Sequence, residues 1–465
     1  MTRWVMTINA AVGLVLGTSP PVTAQATVSG VWVGQAVMPG QNLTLRFDIS
    51  PADSGIAVVM DMLESKLIRF PAPKASFENN RLHVEVPPGW GLAMFRDIGL
   101  APEEQIIRFE GSLIGDTIPG SLTIAYATLP LTLRRWSVSP SSPVVREDVS
   151  FANGDVQLRG TLFKPPGPGP FGVTVFTHGS GDQLRDAYAR EAEALAMAGV
   201  AALVYDKRGA GRSSGANWRV ASFEELASDA RAAVDYLSTR PDIDSLRVGL
   251  FGLSQGTWLI GIVALDRPRI AFLIFVSGSG IPVWEQEIYR TGAMMRAYGF
   301  GDPDIQQAQD FQRRKFQVAR TGLGWPQLDS LTNRLRGTAK WFDDFANEYA
   351  SLTSSRFWWL AVYHHDPIPI LRTLRMPVLG LFGENDLSFP VPKVKDNMEQ
   401  ALRVAGNCDV TMRVFPGAEH QLMVPQRHMD RTLRRTVTPE FLPMFVSWVR
   451  AHAVATRRPC TLGRR

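Results

Sequence analysis

Hydrophobic positions change rhythm twice along this chain. Between residues 27 and 136 apolar and polar residues alternate: Leu43, Leu45, Phe47 and Ile49, then Leu82, Val84 and Val86. A period of two sets one face of a strand on a core and the other in water. Asn79-Asn80, Gly115-Asp116 and Pro119-Gly120 supply the turns. The segment therefore predicts a small all-β unit, a sandwich or a barrel. Ser137–Pro143, with sequence SVSPSSP, has the composition of a linker. From Val144 onward the pattern differs. An Asn153-Gly154 turn before Val156–Lys164 predicts a hairpin. Unbroken apolar runs follow at Gly172–Thr177, Val200–Tyr205, Val248–Phe251, Ala271–Val276 and Val378–Phe382. Strands apolar on both faces fit a parallel sheet covered by helices. Helical stretches lie between them at Tyr188–Met197 and Phe223–Leu237, the second opening on a Ser222-x-x-Glu225 capping box. Residues 144–465 thus predict an α/β fold, a doubly wound and mostly parallel sheet with right-handed crossovers. Residues 283–370 break the alternation and predict a helical lid inserted at the carboxyl end of the sheet. Trp325, Trp341, Trp358 and Trp359 would either line an acyl pocket there or form the lid's own core.

Composition narrows the classes. The chain has 465 residues, 45% hydrophobic and 20% charged, a globular balance. Its length suits about three domains. The 49 basic and 44 acidic residues leave a net charge of +5. The positives are scattered, with the longest clusters at Arg313-Arg314-Lys315 and Arg457-Arg458. Without a basic stripe, no nucleic-acid partner is expected. Two cysteines exclude a disulfide-rich scaffold and a four-cysteine zinc site. Met1–Ala24 reads as a cleavable secretory signal, with Arg3 at its start, Val12–Leu16 in its apolar stretch and Val22-Thr23-Ala24 at its cleavage site. No later run reaches the ~18 apolar residues a spanning helix needs, so no stable membrane insertion is expected. The mature chain would be periplasmic or secreted, where Cys408 and Cys460 would form a disulfide.

The candidate chemistry sits at strand ends. Gly252-Leu253-Ser254-Gln255-Gly256 follows an apolar strand and precedes a helix, the context in which a G-x-S-x-G turn exposes a serine. Ser254 is the candidate nucleophile, and a serine needs a base. Of seven histidines, His420 lies in a loop after the apolar strand Val410–Phe415 and is the preferred base; His428 is a weaker rival. Asp386, after the strand Val378–Phe382, is the candidate partner of the imidazole, with Glu384 as the alternative. The chain order Ser254, Asp386, His420 matches neither the chymotrypsin nor the subtilisin order. His178-Gly179-Ser180-Gly181 follows another strand, and the backbone N–H groups of Ser180 and Gln255 are the candidate oxyanion hole. His178 is expected to shape its loop without moving a proton. His364-His365-Asp366 is expected to be a structural turn, not a metal site.

Five segments in order carry a resemblance: Thr177–Gly181 (THGSG), Asp206–Gly215 (DKRGAGRSSG), Gly252–Gly256 (GLSQG), Gly383–Pro390 (GENDLSFP) and Pro416–Leu422 (PGAEHQL). Residues 144–452 resemble secreted bacterial α/β-hydrolases of the EstD-type esterase group, close to the serine aminopeptidase S33-like domain. The amino-terminal segment is similar to the β-domain that often precedes them, from Gly30–Gly34 (GVWVG) to Leu131–Trp136 (LTLRRW). The resemblance implies hydrolysis of a small-molecule ester through an acyl-enzyme, with no cofactor and no metal. It departs from the usual pattern at Ala210 and at Gln183-Leu184-Arg185, beside the candidate oxyanion hole. Asp206 and Arg208 are expected to brace their loop through an ion pair. Activity would rise with pH as a histidine loses its proton. Three alternatives stand beside this expectation. An aminopeptidase or amidase would hold a substrate ammonium with Glu285, Glu287 or Asp343-Asp344. An acyltransferase would use an acceptor other than water. A binding protein would be catalytically silent. The motifs set neither the acyl chain nor an oligomeric state.

Overall fold

The computed structural model describes residues 28–38, 41–52, 55–62, 67–87, 106–135, 144–181, 183–218, 220–345, 362, 364–427 and 433–454. The signal-like segment 1–24, the linker 137–143, Trp358, Trp359, His428 and Cys460 lie outside them. The chain divides into two compact units, Met1–Ser137 and Val138–Arg465.

In the first unit the period-two pattern folds as one antiparallel sheet. Its strands are β1 (Gly30–Met38), β2 (Gln41–Ala52), β3 (Gly55–Met62), β4 (Leu67–Pro71), β5 (Lys74–Glu78), β6 (Arg81–Val86), β7 (Ile107–Ser112), β8 (Thr117–Ile124) and β9 (Ala127–Arg135). The spatial order is β4-β3-β2-β1-β9-β8-β7-β6-β5. Alternation sends Trp32, Leu45, Phe47, Val84, Phe109 and Leu133 to one shared core. Phe47 on β2 and Phe109 on β7 are four strands apart in that order, about 19 Å in a flat sheet. Their rings nevertheless meet edge to face at 5.5 Å. The sheet is therefore curled onto its own apolar face. Trp32 anchors this core. Its Nε1 donates to the Val28 carbonyl at 2.7 Å, and the Arg135 guanidinium lies over the ring at 4.3 Å.

The second unit has an eight-stranded sheet. Its strands are β10 (Val145–Asn153), β11 (Val156–Lys164), β12 (Phe171–Thr177), β13 (Ala201–Tyr205), β14 (Ile243–Leu253), β15 (Phe272–Val276), β16 (Val378–Gly383) and β17 (Val410–Phe415). The order is β10-β11-β13-β12-β14-β15-β16-β17. The predicted hairpin β10–β11 forms and joins β13 antiparallel. Every pairing from β13 through β17 is parallel. The strands run apolar on both faces because helices cover both. On one side lie α1 (Ala189–Met197) and, near the C-terminus, α10 (Phe441–Ala453), packed on Phe176, Phe251 and Ile274. On the other lie α2 (Phe223–Ser238), α3 (Gln255–Asp266) and α9 (Val391–Val404), packed on Val175, Leu250 and Leu273. The capping box at the start of α2 is formed on both sides, Ser222 with Glu225. This is the α/β-hydrolase fold.

The strand order reverses at β12: the chain goes from β12 outward to β13, then back to β14 on the other side. Loops leaving the carboxyl ends of β12 and β14 diverge there and leave a crevice, the usual place for a ligand in an open α/β sheet. Between β15 and β16 the helices α4 (Val283–Ala297), α5 (Asp302–Thr321), α6 (Trp325–Leu335), α7 (Lys340–Phe345) and α8 (Ile368–Leu371) are inserted. They have a separate core of Met295, Ile305, Phe311, Leu328, Trp341 and Phe342. Trp341 is buried within it, its Nε1 donating to Gln307, and Trp325 packs against it. These two tryptophans are thus part of the insertion's core, not the lining of an acyl pocket.

Candidate active site

Ser254 sits between β14 and α3 with φ +52° and ψ −114°. That left-handed backbone is unfavourable for a residue with a Cβ, by roughly 1–3 kcal/mol, and persists only where neighbours hold it. They do so here. Ser254 N donates to Val276 O at 2.9 Å, and its carbonyl accepts from Thr257 N at 3.0 Å and Thr257 Oγ1 at 2.6 Å. The flanking glycines are required by contact. A Cβ on Gly252 would lie 2.3 Å from the Gly256 carbonyl oxygen, and one on Gly256 2.8 Å from that of Thr177. The G-x-S-x-G spacing therefore encodes a turn too tight for side chains on either side of the serine.

Strand β15 pairs with β14 on one side and β16 on the other. The loop after β16 is thus two strands from Ser254, about 10 Å at the sheet. Asp386 lies in this loop, 3% exposed. Its Oδ1 accepts from Ser388 N at 2.7 Å and Phe389 N at 3.2 Å. Its Oδ2 lies 2.8 Å from His420 Nδ1. The His420 ring is stacked on Phe389 at 5.8 Å and 11°. A carboxylate at that distance accepts a hydrogen bond from Nδ1–H, which leaves Nε2 as the acceptor. Glu384, the alternative acid, instead accepts from Gly417 N at 2.8 Å and fastens the loop that carries His420. The same loop backs directly on β16, since a Cβ on Gly383 would meet the Glu419 carbonyl at 2.3 Å. Asp386 and His420 are thus joined, and Ser254 stands on the same edge of the sheet. Among the described residues Ser254 Oγ makes no hydrogen bond to His420. Such bonds commonly tighten only when substrate binds.

The loop after β12 faces the serine from the other side of the crevice. A Cβ on Gly179 would come 3.6 Å from that of Ser254. Gly179 N donates to Gln183 Oε1 at 3.1 Å, as does Tyr188 OH at 3.2 Å. Gln183, in the stretch where the resemblance breaks, therefore ties down this loop. Gln255 is 1% exposed at the start of α3. Lys207, which sequence reasoning passed over, is also buried: its Nζ donates to Gly179 O at 2.8 Å and Gln255 Oε1 at 2.7 Å. The available signal was its place, a lysine two residues past the apolar strand β13.

The expected Asp206–Arg208 brace is corrected. Both residues brace, but with other partners, because their side chains leave the loop in opposite directions. Asp206 takes Arg185 in two hydrogen bonds, at 3.1 and 2.9 Å, and Arg208 takes Asp229 at 2.6 and 2.7 Å. Burial pushes the Asp206 carboxyl up, but its hydrogen bonds to Arg185 and Arg212 prevail and hold it below the usual range. Arg185, in the same stretch as Gln183, is what this carboxylate requires.

Two buried histidines take no part in such a relay. Burial first, and the Lys207 charge second, push His178 down to about 3. Burial pushes His365 down to about 4, with His364 adding to it. His365 lies edge-on to Phe223 at 5.3 Å. Both therefore stay neutral in the fold while the unfolded chain takes up protons near pH 6.5. Their stabilisation is complete above that pH and is lost as pH falls toward 4 and then 3. Each costs up to about 1.4 kcal/mol per pH unit. Carboxylates held low, such as Asp206 and Glu147, act further down, below about pH 4.5. We expect urea midpoints to fall between pH 6.5 and 4.5, and His365→Phe to remove roughly half of that slope. An unchanged slope in the variant would refute the assignment.

Of the carboxylates considered for an ammonium subsite, Glu285 pairs with Lys393. Glu287 is buried near Lys315, whose ammonium burial pushes down to about 7 against the attraction of Glu287. The side chains of Asp343 and Asp344 lie outside the described residues. Among the described residues no cluster of three or more His, Cys, Asp or Glu side chains could hold a metal ion, and no helix is long and apolar enough to cross a membrane. Cys408 is disulfide-bonded, and the chain has one other cysteine, Cys460.

Residues 168–298 match the family model of the serine aminopeptidase S33 type. A provisionally named phosphoribosyl transferase of Mycobacterium tuberculosis is 37% identical over 30% of this chain and 31% of its own length. A thiohydrolase of Arthrinium phaeospermum is 31% identical over 29% of this chain and 44% of its own. A provisionally named carboxymethylenebutenolidase of Synechocystis is 26% identical over 39% of this chain and 83% of its own. The chain thus spans less than half the length of the first two relatives. Family model and fold together support the α/β-hydrolase type for this second unit.

Proposed function

We propose that this chain is an exported serine hydrolase that cleaves carboxylic esters through an acyl-enzyme. The observation that carries the proposal is the 2.8 Å contact of His420 Nδ1 with buried Asp386, on the sheet edge where Ser254 is held at positive φ. His420 Nε2 accepts the Ser254 proton as Oγ attacks the ester carbonyl. The oxyanion is met by the backbone N–H groups of Ser180 and Gln255. His420 then gives its proton to the departing alkoxide, and the alcohol leaves. Water loses a proton to the same imidazole and attacks the acyl carbon, and the imidazole returns that proton to Ser254 Oγ as the acid leaves. Nothing in this sequence consumes a cofactor. Export rests on the Met1–Ala24 segment and gains support from the disulfide at Cys408, since such bonds persist in oxidising compartments.

Esters are favoured over peptides because Glu285, a candidate anchor for a substrate ammonium, is engaged by Lys393. The test is a chain-length series of p-nitrophenyl esters beside aminoacyl-naphthylamides. We expect kcat/KM for the best ester to exceed that for the best amide by at least 100-fold. The reverse order would favour the aminopeptidase.

A further inference from the structure

We infer that Lys207 is a positioning residue of the oxyanion hole: one buried ammonium orients one peptide unit that would stabilise the reacting oxygen and holds the side chain of the residue that carries the other amide. The inference rests on the serine hydrolase proposed above and deepens it. Lys207 is 3% exposed, and its Nζ lies 4.6 Å over the Trp218 ring. Its backbone N–H donates to Gln183 O at 3.1 Å, so its own loop is joined to the loop after β12.

The geometry is specific. Nζ donates to the carbonyl oxygen of Gly179 at 2.8 Å. In a trans peptide the C=O and the following N–H point in opposite directions. With the Gly179 carbonyl turned inward to the lysine, Ser180 N–H is turned away from it, toward the crevice beside Ser254. A flip of this peptide would place a carbonyl oxygen where the oxyanion needs a donor. The Gly179 N–H, on the preceding peptide, is already given to Gln183. Nζ also donates to Gln255 Oε1 at 2.7 Å, holding the side chain of the residue that supplies the second amide. A cation bonded to the Gly179 carbonyl further polarises the peptide, making Ser180 N–H a stronger donor. Fixed donors and charges of this kind act on the transition state more than on the bound ester.

The expected signature is a loss in kcat at nearly constant KM. Lys207→Met should lower kcat for p-nitrophenyl acetate by about 100-fold, near the effect of removing one oxyanion donor. KM should stay within threefold, and the pH at which activity rises should not move, because the His420–Asp386 pair is untouched. Lys207→Gln keeps a donor but not the charge, and should lose about tenfold. Wild type, Ser254→Ala and both lysine variants are assayed together, with thermal melts to establish folding. If Lys207→Met does not fold, Lys207→Gln decides. A kcat loss of fivefold or more at constant KM supports the inference, and a smaller loss overturns it. A folded Lys207→Met within threefold of wild-type kcat also overturns it, as does a loss wholly in KM. If wild type itself turns over no ester and takes no fluorophosphonate label, the underlying hydrolase proposal has failed instead.

Discussion

Replacing Ser254 by alanine is expected to lower kcat for a p-nitrophenyl ester by roughly 10⁴–10⁶-fold, the scale seen when a nucleophile that works with a base is removed. The residual rate would come from substrate binding and the oxyanion donors alone. Stability should change by about 1 kcal/mol or less, because the backbone bonds that hold the turn involve Ser254 N and O and leave Oγ aside. The paired measurements are steady-state kinetics and a thermal melt. A folded variant within tenfold of wild type would remove Ser254 from the chemistry.

The second large effect is expected at Asp386. Asparagine keeps an oxygen for Ser388 N and Phe389 N, so the loop should survive. It replaces the oxygen 2.8 Å from His420 Nδ1 with an N–H₂ group. The imidazole must then accept at Nδ1 and carry its proton on Nε2, where it cannot take the serine proton. A loss of about 10⁴-fold in kcat follows from this wrong tautomer. Glu384→Gln is the control. Glu384 holds Gly417 N on the loop bearing His420, so its loss should cost under tenfold. Equal losses at the two positions would mean that loop support, not tautomer control, is the role of Asp386.

Much of this was legible in the chain because the signals are local. The unbroken apolar runs located the parallel strands β12 to β16, since burial on both faces leaves few polar positions to confuse the pattern. The glycines around Ser254 marked their turn because contact with Gly256 and Thr177 backbone excludes a Cβ. The Asp386–His420 contact was approached by chain order, as both loops leave the carboxyl ends of adjacent strands β16 and β17. Pairings between distant segments were less legible. Arg185 with Asp206 and Arg208 with Asp229 depend on which way side chains leave a loop, and spacing carries no record of that. Lys207 was missed for the same reason: a lysine between an acid and an arginine reads as solvated charge until the fold buries it. Trp341 was ambiguous because a pocket and a small helical core use the same residues. The curl of the first sheet shows in the meeting of Phe47 and Phe109 across four strands, a contact between distant segments.

The most direct test of the Asp386–His420–Ser254 relay is the site of covalent capture. Purified protein is treated with a fluorophosphonate, digested, and searched by mass spectrometry for the added phosphonyl group. A single modified residue, Ser254, with capture abolished in Ser254→Ala and slowed at least 100-fold in His420→Ala, is the predicted result. Ester turnover with the label on another residue, or capture at Ser254 that proceeds equally fast without the imidazole, would contradict it.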